Sequence, residues 1–237
     1  MALLANDIRA VLWIAVIPAF IAVAILVFGV KEPEATQPAR QARSPIHFSQ
    51  LRNVGADYWW IVLIGAVLSV ARFSEAFLVL RADNVGLTLA LVPLVMVVMS
   101  VAYTLSAYPA GVLSDRTDRR TVIVVGLLML IAADLVLALA TGIGLVLVGA
   151  ALWGLHMGLT QGLLATMVAD TTPAHIRGTA FGVFHMVTGL ALLAASLIAG
   201  FLWDQYGPAA TFYAGMAFAE VALAGLLVVR RRDPGRA

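Results

Sequence analysis

Cysteine is absent from this 237-residue chain, which rules out a disulfide framework and a thiolate metal centre, and with them any reading of redox compartment. Charge is scarce as well. Asp, Glu, Lys and Arg make up 12% of the residues against roughly 25% in an average soluble domain, so an ordinary water-exposed surface is excluded. Lysine occurs once, at Lys31, and the basic balance comes from arginines at the ends of apolar runs, a pattern without nucleic-acid meaning. The four histidines, His47, His156, His175 and His185, are scattered without an HExxH pair, so no zinc site is expected. A Walker loop is also missing, which argues against a built-in ATP motor. Neither an enzyme constellation nor a cofactor motif emerges.

What the chain has in abundance is apolar length, with 62% of its residues hydrophobic. Runs able to cross about 30 Å of hydrocarbon at 1.5 Å per residue recur along it, and in lipid such runs close their backbone hydrogen bonds as helices. Seven spans are expected: Ala10 to Val30, Trp59 to Ala82, Leu87 to Leu113, Val122 to Thr141, Ile143 to Val168, Thr179 to Trp203, and Ala209 to Val229. The first run has full membrane length and lacks a small-residue cleavage pattern, so it reads as a span, not a signal peptide. The fold class is therefore an all-α membrane protein with the lipid bilayer as its immediate partner.

Orientation follows from the arginines, which are retained on the cytoplasmic side. Lys31, Arg40, Arg43 and Arg52 follow the first span; Arg116, Arg119 and Arg120 follow the third. Arg177 follows the fifth, and Arg230, Arg231, Arg232 and Arg236 follow the last. The alternate connections carry little charge, apart from Arg81 with Asp83 and a lone Asp204. The N-terminus is then outside and the C-terminus inside. Between the first two spans, KEPEATQPARQARSPIHFSQLRNVGAD reads as a linker. Its second half, Ile46 to Val54, suits a short helix lying along the membrane surface. The expected organisation is a transmembrane helix over 1–30, a cytoplasmic linker over 31–57, a six-helix block over 58–230 and a cytoplasmic tail over 231–237.

The connection after the third span, GVLSDRTDRR, compresses a carboxylate and three arginines into a short turn. Its spacing and setting resemble the major facilitator superfamily, whose members have two six-helix halves joined by a long cytoplasmic loop. The family's motif, Gly-x-Leu-Ala-Asp-Arg-x-Gly-Arg-Arg/Lys, is matched at Gly111, Leu113, Asp115, Arg116, Arg119 and Arg120, and departed from at Ser114 and Asp118. Asp118 replaces a turn glycine, though Asp tolerates left-handed backbone better than most residues. PAHIRGTAFG and GFLWDQYG, around the sixth span, resemble the corresponding places of a family half. The resemblance implies family helices six to twelve: the last helix of an N-terminal half, then a C-terminal half. It also implies that the motif works as a conformational latch against a helix of the other half. The purely topological reading, arginines fixing the cytoplasmic side, stays open beside it.

Ionisable groups within spans are costly and usually face a cavity or a partner. Arg72 and Glu75, near the middle of the second span, are spaced to share a helix face. There a carboxylate can exchange a proton as access alternates; a static ion pair is the alternative. On the fifth span Gly154, Gly158 and Gly162 form a ridge for close helix approach, with Gln161 nearer that ridge as interhelical glue. His156 and Thr160, with Trp153 and Met167, fall on the opposite face, where they can line a cavity or bond a neighbouring helix. His185, with Phe181 and Thr188, and Met99 and Tyr103, with Met96 and Ser106, are further lining candidates or ordinary packing. Asp134 and Glu220 lie on helices the resemblance puts at the periphery, where a structural partner, each other, or permanent protonation is expected.

These features point to secondary active transport of a small solute by alternating access, proton-coupled and in the cell inner membrane. A missing N-terminal half or a second copy would complete the carrier. A non-transporting membrane subunit or a truncated gene remnant is the competing class. The topology is checked by C-terminal fusions: green fluorescent protein after Ala237 should fluoresce and alkaline phosphatase there should be inactive, whereas the opposite pair of results would invert the chain in the membrane.

Overall fold

The computed structural model describes residues 8–29, 54–88 and 91–228, and among these it contains helices and the turns between them. The chain divides into two units, 1–47 and 48–237. In the first, α1 spans Ile8–Gly29, and its stretch Val16–Gly29 is apolar. The expected surface helix over Ile46 to Val54 lies outside the described residues up to its last position, as do the linker before it and the arginine-rich tail.

The second unit holds α2 (Ala56–Ala71), α3 (Ala76–Asn84), α4 (Val92–Arg116), α5 (Arg119–Ala138), α6 (Ile143–Asp170), α7 (Arg177–Tyr206) and α8 (Pro208–Val228). With α2 and α3 forming one broken segment, six segments here are long and apolar enough to cross a membrane. Helix α6 is central, with α4 on one side and α5 on the other. Helix α5 packs on α8, α8 on α7 and α2, and α2 on α7, so α4 and α7 are the flanks. They bury the least of their surface within the bundle.

One sequence expectation is corrected by this layout. The second span is not a continuous helix: α2 ends at Ala71, Arg72 has φ −113° and ψ 88°, and α3 begins only after Glu75. Arg72 and Glu75 therefore do not share a helix face. No proline or glycine interrupts this stretch, so the cause is tertiary. Phe73 turns into the core at 3% exposure, its ring 5.3 Å from those of Phe77 and Trp153 and 5.6 Å from Phe212. Between membrane helices such packing acts through dispersion and ring geometry, aromatic pairs of this kind being worth about 0.5–1.5 kcal/mol each. The freed amides find partners nearby: Ser74 N donates to Ser196 Oγ on α7 at 3.1 Å, and Ala76 N to Ser74 Oγ at 3.3 Å.

Beyond the break, Arg81 is 7% exposed and ties α3 to the end of α5. Its Nε donates to the carbonyl of Leu137 at 3.0 Å and its Nη2 to those of Ala138 and Ala140 at 3.2 and 2.8 Å, while Nη1 reaches Asn84 Oδ1 at 2.8 Å. A guanidinium placed there satisfies helix-end carbonyls that hydrocarbon would leave orphaned, and it favours the negative end of the helix dipole. The sequence placed Arg81 in a connection; the fold makes it a clamp.

The glycine ridge on α6 holds in part. A Cβ on Gly154 would collide with the Met99 backbone carbonyl, and one on Gly158 with Ser106 Oγ, while the Tyr103 carbonyl lies 3.0 Å from that second position. Gly162 meets nothing within 4 Å and belongs to no contact of this kind. Substituting Gly158→Leu is expected to destabilise the bundle by about 1–3 kcal/mol or more through overpacking against backbone. Gly162→Ala is expected to leave the thermal midpoint unchanged in detergent; equal tolerance of both changes would contradict this packing.

Candidate functional site

Where α2 ends, a cavity of about 380 Å³ opens between α2, α6 and α7. Helix α2 contributes Gly65, Leu68 and Ser69, with Arg72 at its break. From α6 come His156, Thr160, Gln161, Leu164 and Ala165, and from α7 Phe184, His185 and Thr188. Arg72, His156, Thr160 and His185, drawn from three separate spans of the sequence, thus meet at one place. Met99 is buried in the main core and Tyr103 packs against it; neither is among the lining residues.

Close approach builds this site. A Cβ on Gly65 would lie 2.5 Å from Phe184 Cε2, so only glycine lets α7 seat its aromatic ring against α2. Likewise a Cβ on Gly126 would lie 2.5 Å from Thr160 Cγ2, and the Gly126 carbonyl is 2.8 Å from His156 Nδ1. A carbonyl can only accept, so Nδ1 carries a proton in this contact. His156 is therefore both bonded to a neighbouring helix and part of the cavity wall. Gln161, expected beside the glycine ridge, lines the cavity instead.

Ser69 was missed by sequence reasoning, although it lies three residues before Arg72 on α2, a spacing that places both on one side. Its hydroxyl donates to the Gly65 carbonyl at 2.8 Å. Thr160 does the same toward His156 O at 2.9 Å, and Thr188 toward Phe184 O at 2.8 Å. His185 is flanked by Phe184 at 5.4 Å and by Phe181, stacked at 6.1 Å. No group of three His, Asp or Glu side chains at metal-binding spacing occurs among the described residues.

At the turn between α4 and α5, two of the motif arginines, Arg119 and Arg120, have partners within the bundle. Helix α4 runs through Gly111, Leu113 and Asp115 to Arg116, leaving Thr117 and Asp118 as the turn. Asp118 takes φ −63° and ψ 122°, an extended N-cap accepting from Arg120 N at 3.1 Å, so no left-handed glycine position arises. Arg119 pairs with Asp170, the last residue of α6, at 2.7 Å. Arg120 donates to the Leu226 carbonyl and, at 3.0 Å, to that of Leu227, near the end of α8. Gly111, Leu113, Asp115 and Arg116 are exposed.

Asp134 and Glu220 do not pair. Glu220 is exposed on α8, whereas Asp134 is 0% exposed, with neither carboxyl oxygen hydrogen-bonded to a described residue. Gly215 makes room for it: a Cβ there would lie 2.8 Å from Asp134 Oδ2. Trp153 Nε1, in the neighbouring aromatic cluster, is also buried without a hydrogen-bond partner among the described residues.

Comparison with known proteins bears on this arrangement. Residues 73–237 match the family model of the Major Facilitator Superfamily. The chain is similar to an uncharacterized MFS-type transporter of Methanocaldococcus jannaschii, 30% identical over 185 residues, 76% of this chain and 46% of the relative. It is also similar to the class B tetracycline resistance protein of Escherichia coli, 32% identical over 132 residues, 56% of this chain and 31% of the relative. An uncharacterized protein of Mycobacterium bovis is 29% identical over 118 residues, 50% of this chain and 28% of the relative. The chain thus spans less than half the length of these curated relatives.

An unpartnered buried carboxyl group costs about 1–3 kcal/mol relative to an apolar group of similar shape. Asp134→Leu is therefore expected to keep or raise the thermal midpoint of the detergent-solubilised chain, and a marked loss would show that the carboxyl has a stabilising contact.

Proposed function

Because this chain belongs to the major facilitator superfamily, we propose that it forms one half of a secondary active transporter that moves a small solute by alternating access. The observation that carries this reading is the cavity at the α2–α3 break, where Arg72 and polar groups of α6 and α7 converge. Unwound backbone inside a membrane bundle is tolerated where it lines a cavity or is buried in protein, and carriers commonly place their solute sites at such breaks. A site that opens alternately to the two sides needs a second wall, supplied by a companion half or a second copy. The flanking helices α4 and α7 suit that contact: Leu105 and Tyr108 on α4 are 70% and 80% exposed, and Leu190 and Leu197 on α7 are 61% and 67% exposed. In this reading the C-terminus is cytoplasmic, and the exposed Asp115 and Arg116 are the part of the latch that meets the companion half.

Coupling to protons is assigned to Glu75. It sits half-buried at the start of α3, three residues beyond the Arg72 charge but on the far side of the break, so rotation of α2 against α3 changes their separation. Met99 and Tyr103, packed where α4 meets α6, act by setting the position of the α6 wall.

The test is reconstitution in proteoliposomes loaded with a pH-sensitive dye, using the chain alone and a tandem fusion of two copies, against a panel of anionic, neutral and cationic solutes. Solute-dependent proton movement in either preparation supports the reading; none in either, with the protein folded, favours a non-transporting membrane subunit. Glu75→Gln is expected to abolish proton movement while leaving insertion intact, and unchanged coupling would return Glu75 to a structural role.

A further inference from the structure

The cavity wall has a sign. Among the described residues its lining contains one permanently charged group, the Arg72 guanidinium, and no carboxylate. Among the described residues the ion pair formed is that of Arg119 with Asp170, so Glu75 does not close on Arg72 as a salt bridge. Asp134 is sealed in the core against Gly215. The contrast with Arg81, on the same broken span, is informative. Arg81 engages three helix-end carbonyls and Asn84, whereas the Arg72 guanidinium makes no hydrogen bond to a described residue. A guanidinium in a partly buried site without an acceptor is costly, and its fork matches a carboxylate in two parallel hydrogen bonds.

The hydroxyls around it are specialised in the opposite sense. Ser69, Thr160 and Thr188 each give their proton to a carbonyl of their own helix, so what they offer the cavity is lone pairs. The wall thus pairs one strong anion-binding fork with several acceptors that seek O–H donors, and Phe184 supplies an apolar face beside them. At about 380 Å³ the space is at the small end of the roughly 300–1,000 Å³ range of ligand sites.

We propose that this cavity recognises a small hydroxylated organic acid, its carboxylate held by Arg72 and its hydroxyls donating to Ser69, Thr160 and Thr188. This rests on reading the chain as part of a solute carrier and names the substrate class for that site. The bound carboxylate competes with Glu75 for the Arg72 charge, which ties solute occupancy to the group assigned to proton coupling. A single guanidinium and no acid favour a monoanion over a cation or a neutral sugar.

Four six-carbon probes separate the terms: D-gluconate carries the carboxylate and hydroxyls, D-sorbitol the hydroxyls alone, hexanoate the carboxylate alone, and D-glucosamine a cation. Calorimetric binding to the purified full chain in nanodiscs is expected to rank gluconate first, with sorbitol and glucosamine weaker by about tenfold or more and hexanoate between them. Arg72→Gln should abolish gluconate binding, and Arg72→Lys should retain part of it, since the charge remains while the fork is lost. Thr188→Val should weaken gluconate but not hexanoate. Sorbitol or glucosamine binding as tightly as gluconate, gluconate binding undiminished in a folded Arg72→Gln chain, or no gluconate binding by the folded native chain would each overturn the proposal. In the proteoliposome panel, movement of cationic solutes alone would overturn this assignment and leave the transport reading standing. Gluconate binding without movement of any solute would do the reverse.

Discussion

Hydrocarbon gives a peptide group nothing to bond with, and the organisation of this protein depends on how that constraint is met where the chain departs from helix. Six membrane-length segments satisfy it internally along most of their course. At residues 72–75 it is not met within the helix, and the bundle supplies the answer through Ser196 on α7 and the side chain of Ser74. The same break frees Phe73 to enter the aromatic cluster and leaves Arg72 at the cavity. Packing energy gained on one side of the span thus places a charge on the other.

The arginines show how one residue type serves three ends. Arg119 and Arg120 anchor the turn between α4 and α5 to the ends of α6 and α8, Arg81 caps the end of α5, and Arg72 stays without a hydrogen-bond partner among the described residues. The exposed Arg119–Asp170 pair contributes little to stability because water screens it, with such pairs worth about 0–1 kcal/mol. The buried Arg81 clamp is of a different order, since removing it would strand three carbonyls away from water.

The helical class, six of the span positions and the turn after α4 were legible in the sequence because apolar length and arginine placement are one-dimensional signals. His156, Thr160 and His185 were also legible as residues of interest, since polar groups in apolar runs stand out. Their company was not. Helical periodicity placed Gln161 by the glycine ridge, yet it faces the cavity, and Ser69 drew no notice, a serine being common in spans. The i, i+3 pairing of Arg72 with Glu75 failed for a definite reason: periodicity presumes a continuous helix, and the residues that interrupt it, Trp153 and Phe212, come from far along the chain.

The sequence by itself determined that the chain crosses a bilayer as helices, which connections hold its arginines, and which motif marks the turn between α4 and α5, because hydrophobic length and charge act locally. Only the tertiary structure decided that Arg81 bonds helix-end carbonyls while Arg72 lines a cavity, that Gly154 and Gly158 but not Gly162 admit α4, and that side chains of α2, α6 and α7 meet at one place. Each of these depends on what stands opposite a residue across a helix interface, and no local rule contains that information.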